Sequence, residues 1–152
     1  MNIQNLIEYS RSGNNPNNID INASNVNSKD TTGMTPLMHA CDADNSLMVN
    51  FLISKGALVN ETDANGISPL MYASKNCTHN ALNIIQALVL NGANVNYSST
   101  NFGSALNVAE RFNCTDNINY LNLVISVKGG KSKRKTTRRK RLKKRKTRRS
   151  KK

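Results

Sequence analysis

Apolar residues recur at helical spacing in two stretches of the chain. Leu47, Met48, Phe51 and Leu52 form one set, and Leu82, Ile85, Leu88 and Val89 form the other. Each set predicts an amphipathic helix with a single buried stripe. Upstream of each lies a shorter apolar segment that opens with Thr35-Pro36 or Ser68-Pro69. A hydroxyl before Pro is a helix start: the oxygen caps free N–H groups, and Pro at the first helical position forfeits no hydrogen bond. These shorter helices should run to about Asp42 and Lys75. Gly56 and Gly92 then stand where a longer helix ends in a left-handed residue. Asp30–Gly33 and Asp63–Gly66 are turn signals ahead of each hydroxyl–Pro pair. The unit is therefore turn, short helix, longer helix, loop.

The unit repeats. Residues 30–40 read DTTGMTPLMHA and residues 63–73 read DANGISPLMYA, an offset of 33. A weaker copy, NFGSALNVA, runs from Asn101 to Ala109, offset by 36 from the second. The closing segments match as well: Lys55-Gly56-Ala57-Leu58-Val59-Asn60 against Asn91-Gly92-Ala93-Asn94-Val95-Asn96, with Asn25-Val26-Asn27 one period earlier. Three extra residues in the second unit fall around Cys77-Thr78-His79-Asn80, where a loop could absorb them.

These residues resemble ankyrin repeats, a family with a unit of roughly 33 residues carrying T-P-L-H-x-A. Thr35-Pro36-Leu37-Met38-His39-Ala40 and Ser68-Pro69-Leu70-Met71-Tyr72-Ala73 fit that pattern, with Met at the family's His position in both. The resemblance implies an all-α ankyrin-repeat solenoid over residues 1–128. Its parts would be a degenerate N-terminal cap unit at 1–29, repeats at 30–62 and 63–98, and a degenerate C-terminal repeat at 99–128. The cap unit keeps a helix-like Asn2–Ser10 but carries Pro16 and an Asn cluster where its second helix should lie. The last unit has Ala105 in place of Pro, and Gly103 sits one place later than Gly33 and Gly66 do. Similarity to the family also implies a binding module, with turn tips and inner helices on a concave face. The residues there would be Thr31, Thr32, Met34, Asp42, Ala43, Ala64, Asn65, Ile67, Lys75 and Asn76. The implied ligand is a partner protein that the fold does not name.

Charge divides the chain in two. Seventeen of its 22 basic residues lie between Lys128 and Lys152, a stretch with no acidic residue, while residues 1–127 hold 5 basic and 9 acidic side chains. Leu142 is the one apolar residue from Lys131 onward. A segment of that composition cannot offset the entropy of ordering, so residues 129–152 are expected to be a disordered tail. Lys133, Arg134 and Lys135 form one run; Arg138, Arg139, Lys140 and Arg141 a second; Lys143, Lys144, Arg145 and Lys146, then Arg148 and Arg149, complete the set. Such runs suit an import receptor or the phosphates of DNA or RNA. The absence of interleaved aromatics argues against base stacking. Phosphorylation at Ser132, Thr136, Thr137, Thr147 or Ser150 would subtract up to ~2 charges per site and weaken anion binding. Roughly one residue in six is Asn, far above ordinary usage, which reads as codon bias rather than chemistry. Asn-rich chains of this kind resemble ankyrin-repeat proteins of large DNA viruses, which would make the partner a host protein. The expected location is cytoplasm, nucleus, nucleolus or virion, since no secretory signal or membrane span is read. A monomer is expected.

Chemistry is sparse. His39 reads as a packing or surface residue rather than a general base, and Cys77-x-His79 alone does not make a metal site. Cys41, Cys77 and Cys114 are spaced 36 and 37 apart, close to the repeat period. Stacking could bring Cys77 and Cys114 together, yet an odd cysteine count favours free thiols in a reducing compartment. Five glycosylation-like triplets begin at Asn22, Asn60, Asn76, Asn96 and Asn113 and read as chance. No catalytic motif is found, so no cofactor, metal or enzymatic activity is expected.

Overall fold

The computed structural model describes residues 3–12 and 25–127. Helix α1 (Ile3–Arg11) comes first, and α2 (Pro36–Asp42) and α3 (Ser46–Ser54) form the next pair. Helices α4 (Pro69–Ser74) and α5 (His79–Leu90) form another; α5 has 12 residues against 9 in α3, so the extra residues expected in a loop lengthen this helix instead. Strands β1 (Ser98–Ser99) and β2 (Gly103–Ser104) make an antiparallel hairpin, followed by α6 (Ala105–Arg111) and a last helix, α7, over 115–127. The expectations for residues 13–24 and 128–152, including the tail, lie outside the described residues.

The helix starts follow the sequence chemistry. Thr35, Ser68 and Ser104 are extended N-cap residues whose hydroxyls accept from the N–H of Met38, Met71 and Asn107. The unit lacking Pro therefore starts its helix by the same device, with Asn107 Oδ1 accepting from the Ser104 N–H at 3.0 Å. Gly56 and Gly92 both have φ of +90° at the ends of α3 and α5. Gly33 is held differently: at φ +81°, a methyl placed on it would lie 2.7 Å from the backbone nitrogen of Ala64 in the next turn.

Helices α2, α4 and α6 pack side by side as one layer, with α3 against α5 in a second. The core between them is aliphatic and methionine-rich: Leu37, Met38, Met48, Leu52, Leu70, Met71, Ile84, Ile85, Leu88 and Leu121 are all essentially inaccessible to solvent. Leu47 is a correction to the helical stripe, being 61% exposed, with Val49 buried in its place.

Asparagine does much of the stitching between units, which corrects the codon-bias reading for the residues concerned. Asn27 donates to Gly56 O at 3.2 Å and accepts from the Leu58 N–H at 2.8 Å. One period later Asn60 donates to Gly92 O at 3.0 Å and accepts from the Asn94 N–H at 2.8 Å. A second row serves carbonyls at and just beyond the ends of helices in the neighbouring unit. Asn45 donates to Ser10 O, Asn76 to Cys41 O and Asp42 O, and Asn117 to Ser74 O and Asn76 O. Asn117 is buried, so Asn117→Ala takes the donor away from two carbonyls, that of Ser74 being buried. A loss of about 1–3 kcal/mol in urea unfolding is expected, against less than about 0.5 kcal/mol for Asn50→Ala on the exposed side of α3.

Candidate partner-binding face

The turn tips and the first-layer helices share one face, and its electrostatics begin with two turn aspartates. Asp30 Oδ1 accepts from the Thr32 and Met34 N–H groups at 2.8 and 3.0 Å and from the Thr32 hydroxyl at 2.6 Å. Its Oδ2 lies 2.8 Å from Nε2 of His39, which is buried within α2. Burial pushes the Asp30 carboxyl up, but the bonds from Thr32, His39 and Met34 outweigh it and hold the group down at about 2. The next unit repeats the arrangement with a different partner. Asp63 accepts from the Asn65 and Ile67 N–H groups at 2.9 and 2.7 Å, and from the Tyr72 hydroxyl at 2.8 Å. Burial, then the adjacent Asp63, drives the Tyr72 phenol far above its ordinary value. His39 and Tyr72 are thus the same structural position, each tying a short helix to its own turn. His39 is a fully buried partner of Asp30, not a partly buried or surface residue.

The predicted face residues divide by what their side chains are already doing. Thr31, Ala43, Ala64 and Asn65 are exposed, while Met34 and Ile67 are half-buried. Thr32 is exposed but its hydroxyl serves Asp30. Asp42 and Lys75 form an ion pair across two units, and Lys75 also sits 5.9 Å from the centre of the Tyr72 ring. Asn76 is committed to the carbonyls of α2. The turns are tied to each other: Ala64 N–H donates to Thr32 O, and the Tyr97 and Ser99 hydroxyls donate to Gly66 O and Asn65 O.

The last unit contributes a part of this face that sequence reasoning missed. Phe102 at the hairpin tip, Val108 in α6, and Arg111 and Phe112 at its end line a pocket of about 230 Å³ together with residues of α4. A signal was present: the offset of 36 that relates the second and third copies carries Lys75 onto Arg111 and Asn76 onto Phe112. The displaced Gly103 obscured it, yet Gly103 still takes φ +74° and closes the hairpin.

Two of the thiols expected to be free are paired. Cys77, just beyond α4, and Cys114, just beyond α6, are joined in a disulfide with their Cα atoms 4.7 Å apart. Cys41 is buried and free, and burial, then Asp42, pushes its thiol far up, so it carries no reactive thiolate. Among the described residues, no group of three His, Cys, Asp or Glu side chains is placed to hold a metal ion, and no helix is long and apolar enough to cross a membrane.

A stack of turn, short helix and longer helix, closed by Gly-Ala loops and stitched between neighbours, defines a helical repeat protein. The chain matches the family described as ankyrin repeats (3 copies) over residues 5–99, more than half its length, and it belongs to that family. No curated protein matches it closely enough to count as a relative. Beyond residue 99 the hairpin, α6 and α7 continue the same architecture.

Proposed function

We propose that the chain is a non-enzymatic adaptor that holds a partner protein on the face made by its turn tips and first-layer helices. Ankyrin repeats generally mediate protein–protein interaction. The observation that carries the reading for this chain is the exposed row Thr31, Ala43, Ala64 and Asn65, continued by a pocket where the last two units meet. The segment 129–152 serves as a nuclear or nucleolar import signal, as a non-specific ligand for DNA or RNA, or as both. Cytoplasm, nucleus or virion follow as its locations, and the Asn-rich viral resemblance would make the partner a host protein.

A second reading rests on the charge division: 17 basic residues in the last 25 against a net −4 body. It makes nucleic-acid binding or packaging the main activity, with the stack as a tether. One comparison tests both. Full-length protein and a variant with residues 133–149 neutralised are titrated with duplex DNA and RNA across a range of salt. If about ten phosphates are engaged, the log–log slope is expected near roughly −9, with little sequence preference. Weak binding at low salt removes the packaging role and leaves the tail as an address. For the adaptor role, the two proteins should co-purify the same partner, and Ala64→Arg with Ala43→Arg should abolish it. Recovery that ignores the face variants but vanishes with the tail charges would overturn the adaptor reading.

A further inference from the structure

The pocket between the last two units is unlike the rest of the face. Its lining is almost wholly apolar, built from Ile67 at one turn tip, Tyr72 in α4, Phe102 at the hairpin tip and Val108 in α6. Phe112 closes one side and is half exposed, although it is a large aromatic at the end of a helix. A drug-sized ligand takes ~300–1,000 Å³. At about 230 Å³ this pocket suits a single bulky side chain.

Two of the body's five cationic side chains, Lys75 and Arg111, stand at this pocket. Lys75 is largely answered by Asp42. Arg111 is exposed and makes no ion pair among the described residues. A net-negative body thus presents, among the described residues, a guanidinium without an ion-pair partner beside an apolar hole. Guanidinium binds carboxylate through two parallel N–H donors, a geometry that a lysine cannot reproduce.

Resting on the adaptor reading above, we propose that this pocket receives a linear partner segment carrying a bulky apolar side chain with a carboxylate close by. The apolar side chain fills the space between Tyr72, Phe102 and Val108, and Arg111 clamps the carboxylate. The chain's own Lys/Arg tail is a poor occupant: residues 129–152 hold no acidic side chain for Arg111 to clamp and a single apolar one, Leu142. A second copy is a poor fit, since a stable dimer buries about 1,200–2,000 Å², far more than one such pocket supplies. The disulfide contributes by tying the chain just beyond Lys75 to the chain just beyond Phe112, so both walls are fixed before the segment arrives.

The test is selection of a displayed library of random twelve-residue peptides on the oxidised full-length protein. Affinities of the enriched peptides are then measured for wild type, Arg111→Glu and Phe112→Ala. Both positions are exposed, so both variants should keep the fold, and an unchanged circular dichroism melt verifies this. Enriched peptides are expected to carry Leu, Phe, Met or Trp within two positions of Asp or Glu. Arg111→Glu should weaken them about tenfold to hundredfold, and Phe112→Ala about tenfold. Replacing the peptide's acid by its amide should weaken binding to wild type about tenfold and should restore part of the loss in Arg111→Glu, where it relieves like-charge repulsion. Three results overturn the proposal: peptides that are neutral or basic, peptides indifferent to both variants, or no enrichment at all. In each of these the adaptor reading survives if Ala64→Arg with Ala43→Arg still abolishes partner co-purification, and falls with the proposal if it does not.

Discussion

Breaking the Cys77–Cys114 bond is expected to lower the stability of the stack by about 2–4 kcal/mol. The two residues are 37 apart in sequence, so the bond removes a long loop's worth of freedom from the unfolded chain. It also acts at a weak place in a repeat protein. Each unit touches only its neighbours, and the last described unit has a described neighbour on one side alone. Cys77 is exposed and Cys114 is buried, so a reductant reaches the bond from the α4 side. Urea unfolding with and without a thiol reductant should separate by that amount in wild type and not at all in Cys77→Ser. Hydrogen exchange should place the loss in α6 and α7 rather than in α2 and α3. Coincident midpoints for oxidised and reduced protein would show that the bond constrains nothing.

Removing the Asp30 carboxylate should cost about 2–3 kcal/mol, because it takes away several bonds to one charged group and leaves buried His39 unanswered. The same group sets an acid limb. Its native value is lowered from 3.8 to about 2, so the unfolded chain takes up its proton first as acid is added. Its contribution is therefore fully present above about pH 4 and is lost as pH falls toward 2. Melting temperature followed from pH 5 to pH 2 should fall more steeply in wild type than in Asp30→Ala. Parallel curves over that window would mean that the carboxylate holds no such advantage.

How much of this was readable beforehand depended on range. The hydroxyl–Pro starts at Thr35 and Ser68 and the glycine ends at Gly56 and Gly92 are local devices, and they stand where the sequence pattern predicted them. The asparagines are the opposite case. Asn27 and Asn60 sit in period, but their partners lie about thirty residues on, and an excess of Asn elsewhere hid them. Cys77 and Cys114 were in register too, but register alone does not decide whether thiols pair. The pocket was missed for a different reason. Its residues come from two units, and the displaced Gly103 broke the alignment that would have carried the face onto Arg111 and Phe112.

The asparagine rungs also bear on how such a chain changes over generations. Asn27 needs nothing but the closing loop of the following unit, and Asn60 asks the same of the unit after that. A duplicated segment thus arrives with its own donor and its own acceptors, and a deleted one leaves a compatible pair behind. At these rungs a unit can be added or removed without inventing a new contact, whereas the Cys77–Cys114 bond belongs to one particular pair of neighbours.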